Sequence, residues 1–213
     1  MTNLKSKPKL LDLYCGAGGC SAGYATYFDV TGVDLNPQPK YPYEFHQSDA
    51  IEFLLDHWLE FDAIHASPPC QEHSESTRTW KAAGREYPEL IEPTRDFLQV
   101  TGLPYVIENV PGAPLLDPIL LCGTMFGRPL YRHRLFETSF PLAQPAHPEH
   151  KNRQVKMGRA PRAGEFIQAV GHFSGVPQVR TAMQIDWMGQ KELAQAIPPC
   201  YTRYVGRALV ALL

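Results

Sequence analysis

The chain has 213 residues, 44% of them hydrophobic, and a formal charge of −2 at pH 7. That is enough apolar material to close one sizeable core, so a single domain over residues 1–213 is expected. No run approaches the roughly 18 apolar residues of a membrane helix, the first ten residues lack the apolar run of a signal peptide, and the five cysteines are irregularly spaced. These features predict a soluble, cytoplasmic protein with reduced thiols and no membrane partner.

The small net charge hides an asymmetry. Residues 1–120 carry 8 Lys+Arg against 17 Asp+Glu, whereas residues 121–213 carry 12 against 5. A surface facing a polyanion would be built largely by the second part.

Residues 9–14 (KLLDLY) form a short apolar run ending in the turn Cys15-Gly16-Ala17-Gly18-Gly19, after which residues 21–28 can wind into a helix. Residues 30–35 (VTGVDL) make a second strand with Asp34 near its end, residues 46–49 close a weak third, and residues 50–59 have helical spacing. Residues 61–66 (FDAIHA) are a fourth strand, stopped by Pro68 and Pro69 because proline cannot donate to a ladder. A helix over 92–101 leads to a fifth strand at 104–108 (PYVIE). Strands separated by helices imply an α/β fold: a doubly wound, mostly parallel sheet with helices on both faces and ligands at the carboxyl ends of its strands. Each polar motif in this part falls at such an end. Residues 132–138 (RHRLFET) begin a further strand, residues 141–161 read as an exposed, partly flexible basic segment, and residues 199–213 have the spacing of a helix that packs back on the sheet.

The Gly-rich turn lets backbone approach a ligand closely while the next helix presents its N–H groups, which implies a nucleotide-like or amino-acid-like cofactor. Asp34 can accept both ribose hydroxyls of an adenosine. Asp49, after the third strand, can accept from the exocyclic amine of adenine or cap the helix from Ala50. In Ser67-Pro68-Pro69-Cys70-Gln71 two prolines fix the backbone at a strand end, where a thiolate can add to an electron-poor ring carbon; the alternative is a buried structural cysteine. Glu108, at the end of the next strand, can lie beside Cys70 and, its pKa raised by burial, protonate or hydrogen-bond a ring nitrogen. Period-2 spacing puts Arg132 and Arg134 on one face of their strand, a pair suited to a base carbonyl or phosphate oxygens. A metal site from Cys70, His73, His65 and Cys122 lacks a second close pair, and no metal is expected.

In chain order, DLYCGAGG (12–19), GVDL (32–35), SDA (48–50), SPPCQ (67–71), ENV (108–110) and RHRLFE (132–137) resemble the successive motifs of the cytosine C5-specific DNA methyltransferases. RTAMQIDWM (180–188) is similar to that family's element after the target-recognition region, and AQAIPPCYTRYVGRAL (194–209) to its closing motif, which folds back beside the first helix. The whole resembles the short phage-encoded DNA methylases. The resemblance implies a Rossmann-like methyltransferase sheet and the cofactor S-adenosyl-L-methionine, held by Asp12, Tyr14, Cys15, Gly16, Ala17, Gly18, Gly19, Asp34, Leu35, Asp49, Ala50 and Pro68. It also implies double-stranded DNA as substrate, with the target cytosine flipped out of the duplex. Cys70 would add to C6 while Glu108 steadies N3, C5 would take the methyl group, and loss of the C5 proton with expulsion of the thiol would restore the ring. Arg134 would hold the base O2, Arg132 would sit nearer phosphate or thiolate, and Pro69, Gln71 and Asn109 would line the base site.

The chain departs from the family in places. Leu130 stands where Gln usually opens the paired-arginine motif, Ala194-Gln195 where Gly-Asn is common, and Tyr14 where Phe is more usual, though a tyrosine should still stack on adenine or pack nearby. Only about forty residues, 140–179, are left for target recognition, so the enzyme should read little sequence or borrow specificity from a protein partner. Two alternatives stand beside this reading: a relative that places another group on cytosine C5 or acts on RNA, and a non-catalytic protein that binds the cofactor or DNA.

Overall fold

The computed structural model describes residues 6–69, 89–156 and 158–213. Strands β1 (Lys9–Leu13), β2 (Asp29–Asp34), β3 (Glu44–Gln47), β4 (Ala63–Ala66) and β5 (Tyr105–Asn109) run parallel. β7 (Arg134–Thr138) returns antiparallel between β5 and β6 (Ile119–Leu121), which gives the order β3-β2-β1-β4-β5-β7-β6. The mostly parallel α/β sheet expected from the strand and helix alternation is therefore present, with one reversed strand near its edge.

Alternation along β1 explains why helices cover both faces. Leu10 enters one core with Cys20, Tyr24 and Phe28 from the first helical region and Tyr201, Val205 and Leu209 from the last helix. Leu11 and Leu13 enter the opposite core with Phe53 and Leu54 of α2 (Ala50–His57) and Leu98 of α3 (Ile91–Thr101). Successive residues of a strand point to opposite faces, so a strand buried on both sides reads as the continuous apolar run seen in the sequence.

The last helix, α6 (Pro199–Val210), lies against α1 (Gly19–Tyr24) with almost no space between them: a Cβ on Gly23 would collide with Thr202 Oγ1 and the Pro199 carbonyl. Thr202 Oγ1 donates to the Cys20 carbonyl at 2.7 Å across the same contact. The closing motif thus folds back beside the first helix. A buried pair ties α3 to β7, Arg95 binding both carboxylate oxygens of Glu137 at 2.8 and 2.9 Å and the Pro114 carbonyl at 2.9 Å. Breaking such a pair from one side leaves a buried charge unpaired, a cost of about 3–5 kcal/mol.

Several boundaries differ from the sequence expectation. The first helix covers only Gly19–Tyr24, because the chain turns at Ala25 and the Tyr27 and Phe28 N–H groups both return to the Tyr24 carbonyl. β7 begins at Arg134, so Arg132 precedes the strand and does not share a strand face with it. β6, α4 (Val176–Met183) and α5 (Gln190–Gln195) were not expected from the pattern. They are short, and α4 is bounded by left-handed residues at Gly175 and Gln184.

A third core joins this second half of the chain to the sheet, with Ala17, Leu130, Ile167, Phe173, Val179, Met183 and Met188 as members. Residues 141–152 form neither helix nor strand, in keeping with the expected irregular segment, yet they are tied at several points. Gln144 bonds both the N–H and the carbonyl of Leu120 at 2.8 and 2.7 Å, Tyr204 donates to the Ala143 carbonyl at 2.8 Å, and Tyr131 donates to the Asn152 carbonyl at 3.1 Å. No helix among the described residues is long and apolar enough to cross a membrane.

Candidate active site

The Gly-rich turn after β1 is left-handed at Tyr14 (φ 57°), Gly16 (φ 50°) and Gly18 (φ 86°). Only glycine adopts such angles without strain, and at Gly16 the direction of a Cβ is open space. Asp34, at the end of β2, clamps this turn: one carboxylate oxygen accepts from Gly16 N–H at 3.0 Å and the other from Asn36 N–H at 2.9 Å. Next to it Leu35 is 65% exposed, an apolar side chain left uncovered at a strand end. Asp49 caps α2 through Oδ1, which accepts from Ile51 and Glu52 N–H at 2.9 and 3.1 Å. The capping alternative weighed for it is present, and its Oδ2 makes no bond among the described residues.

Asp12 is wholly buried beneath this turn. Its Oδ2 accepts from Ser21 Oγ, and its Oδ1 has no hydrogen-bond partner among the described residues. Burial pushes its carboxyl up to about 7, against the opposing pull of the Ser21 hydrogen bond. Ser21 Oγ also meets Tyr41 Oη at 2.8 Å, and the Tyr41 ring lies over Gly32, where a Cβ would collide with it. Trp187 closes the turn from the second half of the chain, donating from Nε1 to the Ala17 carbonyl at 2.8 Å. The Tyr14 hydroxyl meets Thr94 Oγ1 at 3.0 Å, so this side chain packs against α3. Cys15, Ala17, Gly18, Gly19, Ala50 and Pro68 are buried and can meet a ligand chiefly through backbone.

The neighbouring ends of β4 and β5 gather the second part of the site. Ala66 pairs with Ile107, which brings Ser67 beside Glu108. Ser67 Oγ meets His65 Nε2 at 3.0 Å, and His65 Nδ1 meets Tyr24 Oη at 3.0 Å. His65 is fully buried and burial pushes its pKa down to about 3, so the ring is neutral and acts as a fixed strut. Asn109 donates to the Pro68 carbonyl at 3.0 Å, which makes it a support for the Pro68-Pro69 turn. Pro69 is half-buried at the end of that turn. Cys70, Gln71 and His73 lie outside the described residues.

Glu108 is 5% exposed, and its Oε1 lies 3.0 Å from Arg134 Nε. That buried oxygen has no hydrogen-bond partner among the described residues. Burial raises the Glu108 pKa above the usual carboxylate range, opposed by the Arg134 guanidinium, the Ser67 hydroxyl and Arg132. Arg134 also donates to the His133 carbonyl at 2.8 Å. Arg132 is nearly fully buried and donates to the Ala169 and Ala194 carbonyls at 2.6 and 2.9 Å. It fastens the second half of the chain to the site while lying close enough to Glu108 to affect its ionisation.

The sequence reading did not single out Ser21, Tyr41 or Trp187, and it weighed His65 only as a metal ligand. For His65 a signal existed: it stands two residues before Ser67, hence on the same strand face. Tyr41 and Trp187 reach the site from loops, where no periodicity marks them. A cavity of about 560 Å³ elsewhere in the second half is lined by Arg153, Gln154, Lys156, Arg159, Arg162 and Glu165. Arg159 of this lining pairs with Glu165 at 2.5 Å.

A seven-stranded sheet of this order, with its Gly-rich turn after β1 and a reversed β7, defines an α/β fold of methyltransferase type. Two solved structures share it. Methyltransferase EhMeth of Entamoeba histolytica superposes with a TM-score of 0.61 at 14% identity over 97% of this chain and 99% of its own. The S. pombe Dnmt2 methyltransferase superposes with a TM-score of 0.56 at 14% identity over 98% of each chain. No family model matches the sequence, and no curated protein matches it at a significant level.

Proposed function

We propose that the chain is an S-adenosylmethionine-dependent methyltransferase that modifies C5 of cytosine in DNA through a covalent adduct of Cys70. The observation that carries this reading is the convergence of Glu108, Arg134 and the Ser67-Pro68-Pro69 turn at adjoining strand ends. A buried carboxyl of raised pKa beside a guanidinium is a proton donor and carbonyl-binding pair suited to N3 and O2 of one pyrimidine. In the chain, the turn leads directly into Cys70.

The groups at the ends of β1 and β2 support the cofactor in this reading. Asp12 Oδ1, without a partner among the described residues, is an acceptor suited to its ammonium group, and the open side of Gly16 leaves backbone accessible. Asp34 keeps lone-pair capacity for ribose hydroxyls beyond its two backbone bonds, with Leu35 as an apolar surface for adenine. When bound, S-adenosylmethionine supplies an electrophilic methyl group. In the base site Cys70 adds to C6 and so raises electron density at C5. Glu108 would steady N3 and Arg134 would hold O2 while C5 takes the methyl group as its bond to sulfur breaks; loss of the C5 proton to water and departure of the Cys70 thiolate would then restore the ring. The groove lined by Arg153, Lys156, Arg159 and Arg162 supports a polyanionic substrate. Because residues 140–179 are few, target choice rests on a small surface or on a protein partner.

Incubation of the protein with methyl-labelled cofactor and either duplex DNA or RNA, followed by mass analysis of nucleosides, tests the reading. 5-Methyldeoxycytidine from DNA is the expected product. Label in RNA alone, a different C5 substituent, or unlabelled pyrimidine in both would overturn it.

Asp12→Asn gives a separate check on the cofactor cleft. The folded pKa of Asp12 lies above its ordinary value of 3.8, so its contribution to stability is full below that value and is lost as pH rises through about 7. Without ligand, the Asn variant should therefore melt higher than the parent at alkaline pH, with the gap closing in acid. Its affinity for the cationic cofactor should fall about 10–100-fold, the loss of one charge-assisted hydrogen bond. Calorimetric titration and melting curves across pH read both, and unchanged affinity would exclude Asp12 from the cleft's binding groups.

A further inference from the structure

Four side chains that the reaction does not use converge at the antiparallel edge of the sheet. Cys122 follows β6, His133 precedes β7, and His147 and His150 come from the irregular segment 141–152. One ligand atom from each lies within 4.8 Å of every other. His133 Nε2 and His147 Nε2 are 3.1 Å apart, and Cys122 Sγ and His150 Nε2 are 3.5 Å apart. Bonds of 2.0–2.3 Å to a tetrahedral zinc ion put ligand atoms about 3.3–3.7 Å from one another, so this cluster needs only a small contraction. We propose that Cys122, His133, His147 and His150 form a structural zinc site.

The surroundings resemble a built metal site rather than a chance meeting. Cys122 is fully buried, and Thr124 Oγ1 donates to its sulfur at 3.3 Å, a bond that favours the thiolate. The Tyr131 ring stacks on His150 with centroids 3.8 Å apart, which fixes the imidazole plane. The His133 ring stacks on His147 and His150 at 5.3 and 5.0 Å, those two are tilted at 4.9 Å, and one nitrogen of each ring lies in the common cluster. Without a cation, that arrangement sets lone pairs or N–H groups against each other. One thiolate and three imidazoles in a closed set of four suit Zn(II), with no position left for a reacting water. The sequence hides the site, because the spacing Cys122-x10-His133-x13-His147-x2-His150 contains only one close pair. Of the set weighed from sequence, Cys122 belongs here and His65, engaged by Tyr24 and Ser67, does not; Cys70 and His73 lie outside the described residues.

The ion would serve the fold at two places. It pins residues 141–152, which have no backbone ladder of their own, to β6 and β7. It also holds His133, the residue between Arg132 and Arg134, and so steadies the arginine pair at the candidate active site. The inference does not depend on the reaction catalysed.

Full-length, tag-free protein purified without chelators is expected to carry about one zinc per chain by elemental mass spectrometry. Replacement by Co(II) should give the visible d–d bands and near-ultraviolet thiolate band of a tetrahedral site. A strong chelator should lower the melting temperature by about 5–10 °C. His147→Ala, at an exposed position, should bind the ion at least about 10-fold more weakly and lose the chelator response while keeping its circular dichroism spectrum. Cys122→Ser should abolish the thiolate band; if it fails to fold, His150→Ala should instead bind the ion at least about 10-fold more weakly. Folded wild-type protein that holds less than about a tenth of an equivalent of zinc and yields no tetrahedral Co(II) spectrum would overturn the proposal.

Discussion

Cys70→Ser is expected to lower methyl transfer to DNA cytosine by roughly 10⁴-fold or more while leaving cofactor affinity unchanged. The size follows from chemistry. A thiolate is accessible near neutral pH and strongly nucleophilic, whereas a serine hydroxyl stays protonated, and no covalent adduct then forms at C6. The residues leading to position 70 are held on both sides: Ser67 by His65, and the Pro68 carbonyl by Asn109. Substitution of one atom beyond that turn leaves these contacts in place, so the variant should fold and melt like the parent. Single-turnover assays, together with trapping on DNA containing 5-fluorocytosine, separate chemistry from binding. The parent should form a complex that survives denaturation and the serine variant none. A serine variant that kept a near-parental rate would show that the nucleophile lies elsewhere.

The centre of the parallel sheet was legible because β1, β2, β4 and β5 are buried on two faces and read as apolar runs, whereas the largely exposed β3 gave only a weak signal. The acids at strand ends were legible for the same reason, since the end of each run marks where Asp34, Asp49 and Glu108 must stand. What local pattern could not carry was the role of a side chain whose partner is distant. Arg132 looked like a strand neighbour of Arg134, but its bonds to Ala169 and Ala194 come from chain tens of residues away. Tyr41 and Trp187 enter from loops, and Cys122 meets His147 and His150 only because an irregular segment returns along β6. Period-2 and period-3.6 signals report which face is buried and are silent on such returns.

Glu108→Gln should reduce the rate of methyl transfer by about 10²–10⁴-fold, with a smaller effect on DNA binding. Glutamine preserves size and still offers an N–H to a ring nitrogen, so the loss isolates proton donation. Burial raises the Glu108 pKa, and the Arg134 guanidinium 3.0 Å away limits that rise. The sign of the pH effect follows: the carboxyl is an acid only below its folded pKa, so parental activity should fall as pH rises through it. The glutamine variant, with nothing to titrate there, should lose that falling limb. Stability offers a second reading. A raised folded pKa means that the contribution of Glu108 to stability is present in acid and lost as pH climbs, so neutral glutamine removes a buried charge above that point. Against this, Gln leaves Arg134 without its counter-ion in a nearly buried setting. The two terms oppose one another, and the variant should stay folded near its parental melting temperature. A pH–rate profile for both proteins decides the matter: an identical falling limb in the glutamine variant would assign that limb to another group and remove Glu108 from proton transfer.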